Sequence, residues 1–457
     1  MKKIITVLLA GILAAVPAFG AEKIKLSMDE AVKRALEKNE TVRIEKEKLF
    51  AAENNFKSTV AGFLPQLKAS FEWTKYYEKP VMEFDMSEME EMFSPLFGAL
   101  GLPPPDMGIM EIEAAREFET SFGLTLAQPL FLGGKMWNAA ESAGLAKKVQ
   151  AQAYEAAAAE IEYYTKLAYL NALYTRDVYE ISRSAYERAL ENRELMKRRV
   201  SSGRMSRMEN IRMEADIAVK KPKMLEANMN RETAARSLKR LTGMDGGAEI
   251  ELTDAMSAEF RDYDREQLKK TMEENNPLIK IAEDMVSLHE ALLNMERSAY
   301  LPDIYGFASY RYAGGSGDIF IGSENINRMM LVGIKAEYNL FTSGKRVFEN
   351  SRAENELNEK KINLEKTRRE LDFELEKILR EYEMMRQTYG EILNSVKLTR
   401  EAYNTVYEVF ESGFATRNDL NDAENSYDEA VKGQKRLLLG INSAAAGIEK
   451  LTGGGGQ

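Results

Sequence analysis

Ser121–Lys135 reads SFGLTLAQPLFLGGK, and Leu331–Lys345 reads LVGIKAEYNLFTSGK. Gly123 and Gly333, Leu130 and Leu340, Phe131 and Phe341, Gly134 and Gly344, and Lys135 and Lys345 all stand 210 residues apart. The same offset aligns Ser202-Gly203 with Ser412-Gly413 and Leu241-Thr242-Gly243 with Leu451-Thr452-Gly453, so more than a hundred residues repeat without a gap. Upstream the offset becomes 237: Asn39 matches Asn276, and Phe63-Leu64-Pro65 matches Tyr300-Leu301-Pro302. The change of 27 residues marks an insertion in the first copy, within residues 78–117. Two registers kept over such lengths identify a duplicated fold.

Each copy has the same order of elements. First comes a helix of about 33 residues, Met28–Val60 or Arg265–Ala299, with apolar residues at helical spacing. A proline then stops the helix and an alternating strand begins. Leu67, Ala69, Phe71 and Trp73 face one way, and Lys68, Ser70, Glu72 and Thr74 the other. In the second strand Phe118, Phe122, Leu124 and Leu126 oppose Glu119, Ser121, Gly123 and Thr125. The four strands are expected at about 66–77, 117–131, 303–312 and 331–340. One apolar face, one polar face and about ten residues fit strands with lipid outside and water inside. A half-buried hairpin of a soluble protein has the same pattern.

The third element separates the two. Leu145–Ser202 contains neither Gly nor Pro, and no Pro follows Asp303. Leu371, Leu375, Ile378, Tyr382, Met385, Tyr389, Ile392, Val396, Thr399, Tyr403, Val406 and Phe410 alternate spacings of four and three. That heptad seam implies left-handed supercoiling against partner helices. The first copy keeps a weaker seam through Ile161, Ala168, Ala172, Tyr179, Tyr186, Ala189, Met196 and Val200. A helix over 135–200 is on the order of 100 Å long. Gly203 or Gly413 reverses the chain, and a shorter helix returns to Leu241 or Leu451. Its length plus that of the first helix roughly matches the long one, so the two can pair with it end to end. The fold class is mainly α with a transmembrane β portion. The first repeat spans 21–242, an equatorial linker 243–264, the second repeat 265–452 and a Gly-rich tail 453–457.

Composition narrows the function. The 457 residues carry 63 basic and 73 acidic side chains, a net charge of -10, which disfavours binding to nucleic-acid phosphates. Absence of Cys and a single His, His289, exclude thiol catalysis, Cys-based zinc sites and multi-His centres; no metal or other cofactor is expected. His289 reads as structural. Mean hydropathy is -0.41, and no later run of apolar residues is long enough for a helical span. Residues 1–20 read as a secretory leader: Lys2 and Lys3, an apolar stretch Ile4–Val16, and Ala18-Phe19-Gly20 as the cleavage site. Its removal leaves 61 basic residues and a net charge of -12.

Several motifs stand in a telling order: LSMDEAVKRALEKN (Leu26–Asn39), FLPQL (Phe63–Leu67), LAQPLFLGGK (Leu126–Lys135), SGRMSRMEN (Ser202–Asn210) and SGFATRNDLNDA (Ser412–Ala423). Together they resemble the TolC-like outer-membrane channel-tunnel family over nearly the whole mature chain. The resemblance implies a homotrimer whose four strands per subunit build a 12-stranded barrel, with a helical barrel crossing the periplasm. It also implies a periplasmic adaptor (a membrane-fusion protein) and an inner-membrane pump or ABC transporter as partners, and outer-membrane lipid around the barrel. Elementary physics points to the same trimer: four strands cannot close a barrel, and open edges are not tolerated in lipid.

Asp419 and Asp422 lie three apart at the start of a helix and share one side. They match the aspartates of the family's pore constriction; three copies would give two rings whose repulsion raises carboxylate pKa values and favours a bound cation. Acidic residues at a helix N-terminus also simply suit its dipole. Glu209 and Arg212 stand at the equivalent places of the first copy, so Glu209 alone keeps the charge. The family's tip-closing basic residue is replaced by Ala415, with Arg417 two positions on. Ser202, Gly203, Arg204, Ser412, Gly413 and Phe414 match the family's adaptor contact, while the glycines also suit a tight reversal. Trp73, Tyr76, Tyr77 and Trp137 sit near strand ends as candidates for membrane-interface aromatics, with ordinary core packing as the alternative. In the insertion, Met82, Met86, Met89 and Met92 precede Pro103-Pro104-Pro105; they read as a buried helix face or, less simply, as soft-metal ligands. The insertion is expected outside the cell.

The expected function is passive export through the outer membrane, without catalysis. An exit for type I protein secretion is the alternative, and a soluble periplasmic coiled-coil scaffold a remote one.

Overall fold

A computed structural model describes residues 24–103, 106, 108–113, 116–201, 207–257, 260–316 and 326–453. In chain order they form β1 (Ile24–Leu26), α1 (Met28–Lys38), α2 (Glu40–Ala61), β2 (Gln66–Lys75), β3 (Val81–Asp85), α3 (Ser87–Ala99), β4 (Ile109–Glu113), β5 (Phe118–Leu132), α4 (Lys135–Ser201), α5 (Arg207–Leu241), β6 (Ile250–Leu252), α6 (Arg265–Asn275), α7 (Pro277–Arg297), β7 (Asp303–Ser316), β8 (Ile326–Glu337), α8 (Lys345–Glu411) and α9 (Arg417–Thr452). The leader, the reversal at Ser202-Gly203-Arg204 and Pro104-Pro105 lie outside the described residues. Packing divides the chain into two units. One comprises Met1–Phe50, Lys148–Asp284 and Ile362–Gln457; the other comprises Ala51–Lys147 and Met285–Lys361.

The second unit holds an antiparallel sheet in the order β2-β5-β7-β8. Facing residues on neighbouring strands share a side, so the register shows what each surface carries. Leu67, Leu126, Ala308 and Val332 form one row, and Ala69, Leu124, Tyr310 and Met330 the next. The opposite surface has the rows Lys68, Thr125, Ser309 and Leu331, then Glu72, Ser121, Ala313 and Asn327. The sequence alternation therefore survives as one apolar and one largely polar surface. Pro129 has no N–H to give, and the β5–β7 ladder shifts register between Pro129 and Phe131.

The last two strands differ from expectation. β7 continues to Ser316, and β8 occupies Ile326–Glu337 rather than 331–340. Beyond Glu337 the chain turns into α8: the Arg346 guanidinium donates to the Asn339 carbonyl and lies 5.5 Å from the Tyr338 ring, while Ser343 takes a φ of 51°. The insertion folds as β3 and β4, paired from Val81–Glu113 to Asp85–Ile109, with α3 between them. Met82 lies on β3, Met86 precedes α3, and only Met89 and Met92 lie within it. The expected buried methionine face is absent, because three of the four are exposed and the run crosses two elements.

The first unit is helical. α4 and α8 are each 67 residues long, and the return helices α5 and α9 have 35 and 36. None of the twelve seam residues of α8 is exposed, and Leu371, Leu375, Tyr382 and Phe410 are buried. Leu371 and Leu375 pack on Ile448 and Leu451 of α9 and on Met272 and Ile279. α4 is covered from two directions: Tyr169, Ala172 and Leu173 share a core with Ala234 and Leu238 of α5 and Leu438 of α9. Burial of one such leucine stabilises by about 1.5–3 kcal/mol. β1 pairs with β6 in parallel, so the start of the first repeat is joined to the linker. The Tyr169 hydroxyl donates to the Leu26 carbonyl at 2.9 Å. Burial, then the nearby Asp254 carboxylate, push that phenol up to about 12, so it remains a donor at neutral pH.

The first helix of each copy is not continuous, contrary to the sequence expectation. Asn39 and Asn276 interrupt it with extended backbone (ψ 132° and 122°). Their side chains explain the break. Asn39 Oδ1 accepts from the Thr41 amide at 2.9 Å, while its Nδ2 donates to the Leu241 carbonyl at 3.3 Å. Asn276 repeats both bonds, with the Leu278 amide at 2.9 Å and the Leu451 carbonyl at 2.8 Å. Each asparagine thus opens one helix and caps the end of the return helix. The chain leaves the return helix through Gly243 and Gly453 at φ 62° and 72°; a Cβ there would lie 2.7 Å from Lys38 Cβ or 2.9 Å from the Asn275 carbonyl. Asn276→Ala is expected to cost about 1–3 kcal/mol by leaving the buried Leu451 carbonyl unpaired, and Asn39→Ala less, because its bond is longer. Urea unfolding of the two variants beside the parent measures this.

Candidate functional site

The α8–α9 turn is built from its backbone outward. Gly413 takes a φ of 87°, and the amides of Phe414 and Ala415 both donate to the Val409 carbonyl, at 3.0 and 3.3 Å. This close reversal projects Phe414, which is 89% exposed. Ser412, Gly413 and Phe414, three of the six expected adaptor contacts, therefore form an accessible tip. The other three lie outside the described residues.

Thr416 caps α9. Its hydroxyl accepts from the Asp419 amide at 3.2 Å, and Asp419 Oδ2 accepts from the Thr416 amide at 2.8 Å and hydroxyl at 2.6 Å. These bonds, the hydroxyl's first, hold the Asp419 carboxyl below the usual carboxylate range. Within one chain the shift is thus opposite to that expected of a ring of carboxylates, because capping supplies donors. Asp422 is also exposed, one turn further along. Glu209 takes the first turn of α5 and pairs with Arg212 at 2.8 Å. It does not pair with either aspartate.

α5 and α9 are joined instead by residues that the sequence left without a role. Arg417 is only 2% exposed; its Nη2 lies 2.5 Å from Asp216 Oδ2 and 3.7 Å from Glu424 Oε2. Lys220 completes the group, 2.8 Å from Glu424 and 3.4 Å from Asp216. One turn on, Arg188 of α4 donates to both oxygens of Asp428 at 2.8 Å. Burial pushes the Asp428 carboxyl up despite Arg188. The available sequence signal was the placing of Arg417, Glu424 and Asp428 on the same helical stripe as Leu420 and Leu438.

The aromatic candidates divide. Trp73 stacks with Phe118 at 5.6 Å between centroids and is half exposed on the apolar surface. Tyr77 and Trp137 are well exposed, Trp137 meeting Phe63 edge-on at 5.5 Å. Tyr76 departs from the group: its hydroxyl donates to Glu119 at 3.2 Å, on the polar surface. Among the described residues no helix is long and apolar enough to cross a membrane, and no three carboxylate or imidazole groups are placed to hold a metal.

The description "outer membrane efflux protein" matches residues 31–244 and 268–454, in two blocks that follow the repeat. Solved structures share the fold. The CmeC outer membrane channel of Campylobacter jejuni is 17% identical, with a TM-score of 0.77 over 94% of this chain and 86% of its own. VceC of Vibrio cholerae is 16% identical, with a TM-score of 0.73 over 94% and 97%. The open-state MtrE channel of Neisseria gonorrhoeae is 17% identical, with a TM-score of 0.71 over 94% and 89%. No curated protein matches the sequence.

Removing one member of a buried ionic group strands the rest, so Arg417→Ala is expected to destabilise by about 3–5 kcal/mol. Lys432→Ala, which breaks the surface pair with Glu429 at 3.0 Å, is expected to cost at most about 1 kcal/mol. Hydrogen exchange followed by mass spectrometry should show the Arg417 loss confined to the starts of α5 and α9.

Proposed function

This chain belongs to the outer membrane efflux protein family, and we propose that three copies of it enclose a duct that discharges cargo from an inner-membrane transporter. The carrying observation is the open sheet: an apolar surface meant for lipid and two edge strands, β2 and β8, with unpaired backbone groups. Pairing β8 of one copy with β2 of the next satisfies both edges, and three copies give twelve strands. The helical edges support the same assembly. α5 exposes Val219, Leu225 and Met229; α8 exposes Ile362, Phe373 and Met384, eleven residues apart. An 11-residue spacing gives a nearly straight stripe, suited to a neighbour lying alongside.

In this reading residues 1–20 direct export and are removed, the barrel lies in the outer membrane and the long helices reach into the periplasm. Trp73, Tyr77 and Trp137 stand at the lipid boundary. Asp419, Asp422 and Glu209 converge at the narrow end, where acidic rings select cations. The tip at Ser412, Gly413 and Phe414, with Ser202, Gly203 and Arg204, receives a periplasmic adaptor, and docking draws the tips apart. The partner transporter, a pump or an ABC transporter, supplies the energy; the duct supplies only a path.

Light scattering of the detergent-purified protein should give three chains per particle; a monodisperse single chain, soluble without detergent, would remove the duct. In planar bilayers Asp419→Ala with Asp422→Ala should weaken block by divalent cations about tenfold or more. Unchanged block would move the constriction elsewhere. The pH dependence follows from the Thr416 donors. A depressed pKa keeps Asp419 charged as pH falls, so block should persist below the ordinary carboxylate range. Thr416→Ala should make it fade at higher pH.

A further inference from the structure

The polar surface of the sheet is not uniform. Near the β5–β7 end it holds a depression of about 350 Å³, within the range of sites for small molecules. Its floor is made of small residues, Ser121, Ala313 and Gly315, on adjacent strands, with the stem of Arg116 lying over Gly315. Its two walls differ in charge. On one side stand Glu72 and Glu119, and on the other Arg311 with Asn327 beside it.

These charges do not neutralise one another. Glu119 is engaged by the Tyr76 hydroxyl at 3.2 Å. Lys75 lies over the Phe118 ring on the opposite surface and pairs with Glu117 at 3.5 Å. Glu72 and Arg311 are both exposed, and neither makes an ion pair among the described residues. The backbone keeps them apart. Glu72 is on β2 and Arg311 on β7, with β5 between, which separates their strands by about 10 Å. Gly123, level with Arg311 on β5, leaves no side chain between the walls; a Cβ there would lie 2.7 Å from Ser70 Oγ. A carboxylate, an amide and a guanidinium thus face one hollow without meeting.

We propose that this hollow is a binding site for small zwitterions, with Arg311 receiving a carboxylate and Glu72 an ammonium group. The proposal rests on the reading of the polar surface as the wall of the duct. There it makes the outgoing path selective at a second place, remote in sequence from Asp419 and Asp422. All its residues come from one chain, so assembly would repeat the site in each copy without completing it.

Three probes of similar size and different charge test this: L-phenylalanine, the cationic L-phenylalaninamide and the anionic N-acetyl-L-phenylalanine. In planar bilayers phenylalanine should block current at concentrations about fivefold lower than either relative. Arg311→Gln should abolish its advantage over the amide, and Glu72→Gln its advantage over the acetyl derivative. Asp419→Ala with Asp422→Ala should leave both advantages intact. Equal block by all three probes, or a preference that survives both Arg311→Gln and Glu72→Gln, overturns the site. If the purified protein forms no pore, the duct fails, and calorimetric titration of the same protein in detergent with the three probes still decides the site. The preference seen there upholds it, and its absence ends it.

Discussion

A sheet with one greasy surface and two open edges is incompatible with lipid as a single copy. In hydrocarbon an unpaired amide or carbonyl has no water to turn to, and each costs several kcal/mol. β2 and β8 each present such a row, and their side chains are mostly exposed. Every other feature of the chain can be read as accommodating that demand. In the proposed trimer the exposed stripes on α5 and α8 supply lateral surface, and the polar rows of the sheet a wetted wall. Under the proposed assembly the chain is a segment of an enclosure rather than a finished domain.

Within the helical unit the apolar seam and the buried charges divide the work. The seam of α8 fixes how α9 lies against it, through contacts such as Leu375 with the Ile448 and Leu451 cluster. Such packing tolerates sliding by a turn. A buried group such as Arg417, Asp216, Lys220 and Glu424 does not, because any other register strands a charge away from water. Its value is thus more in specifying alignment near the tips than in net stability. The paired asparagines do the same at the opposite end of the return helices, with neutral groups.

The architecture was legible in the sequence because it was written twice. The offsets of 210 and 237 exposed the duplication, the alternation around Phe71 and Leu124 exposed the strands, and the twelve-position seam exposed α8. Other features were hidden for physical reasons. The helix break at Asn39 joins a local bond from the Thr41 amide to one with Leu241, about two hundred residues away, and the distant partner is not written in the local sequence. Asp419 and Asp422 were visible as a pair, yet the capping role of Asp419 needed Thr416 in its observed geometry. Arg417 was noted only as lying two positions past Ala415, since burial of a charge is decided by partners on another helix. The methionines looked periodic, but the chain bends between Asp85 and Ser87 before the period can be used.

The central seam of the sheet joins β5 to β7, and along it Thr125 faces Ser309, 184 residues downstream. Pairing that far apart in the chain is slow to nucleate, and so is the docking of α4 on α9, where Arg188 meets Asp428, 240 residues on. Neither the ribbon nor the helical core can therefore close before the second repeat is available. Until then the four strands keep oily side chains and bare backbone on offer to any stray polypeptide.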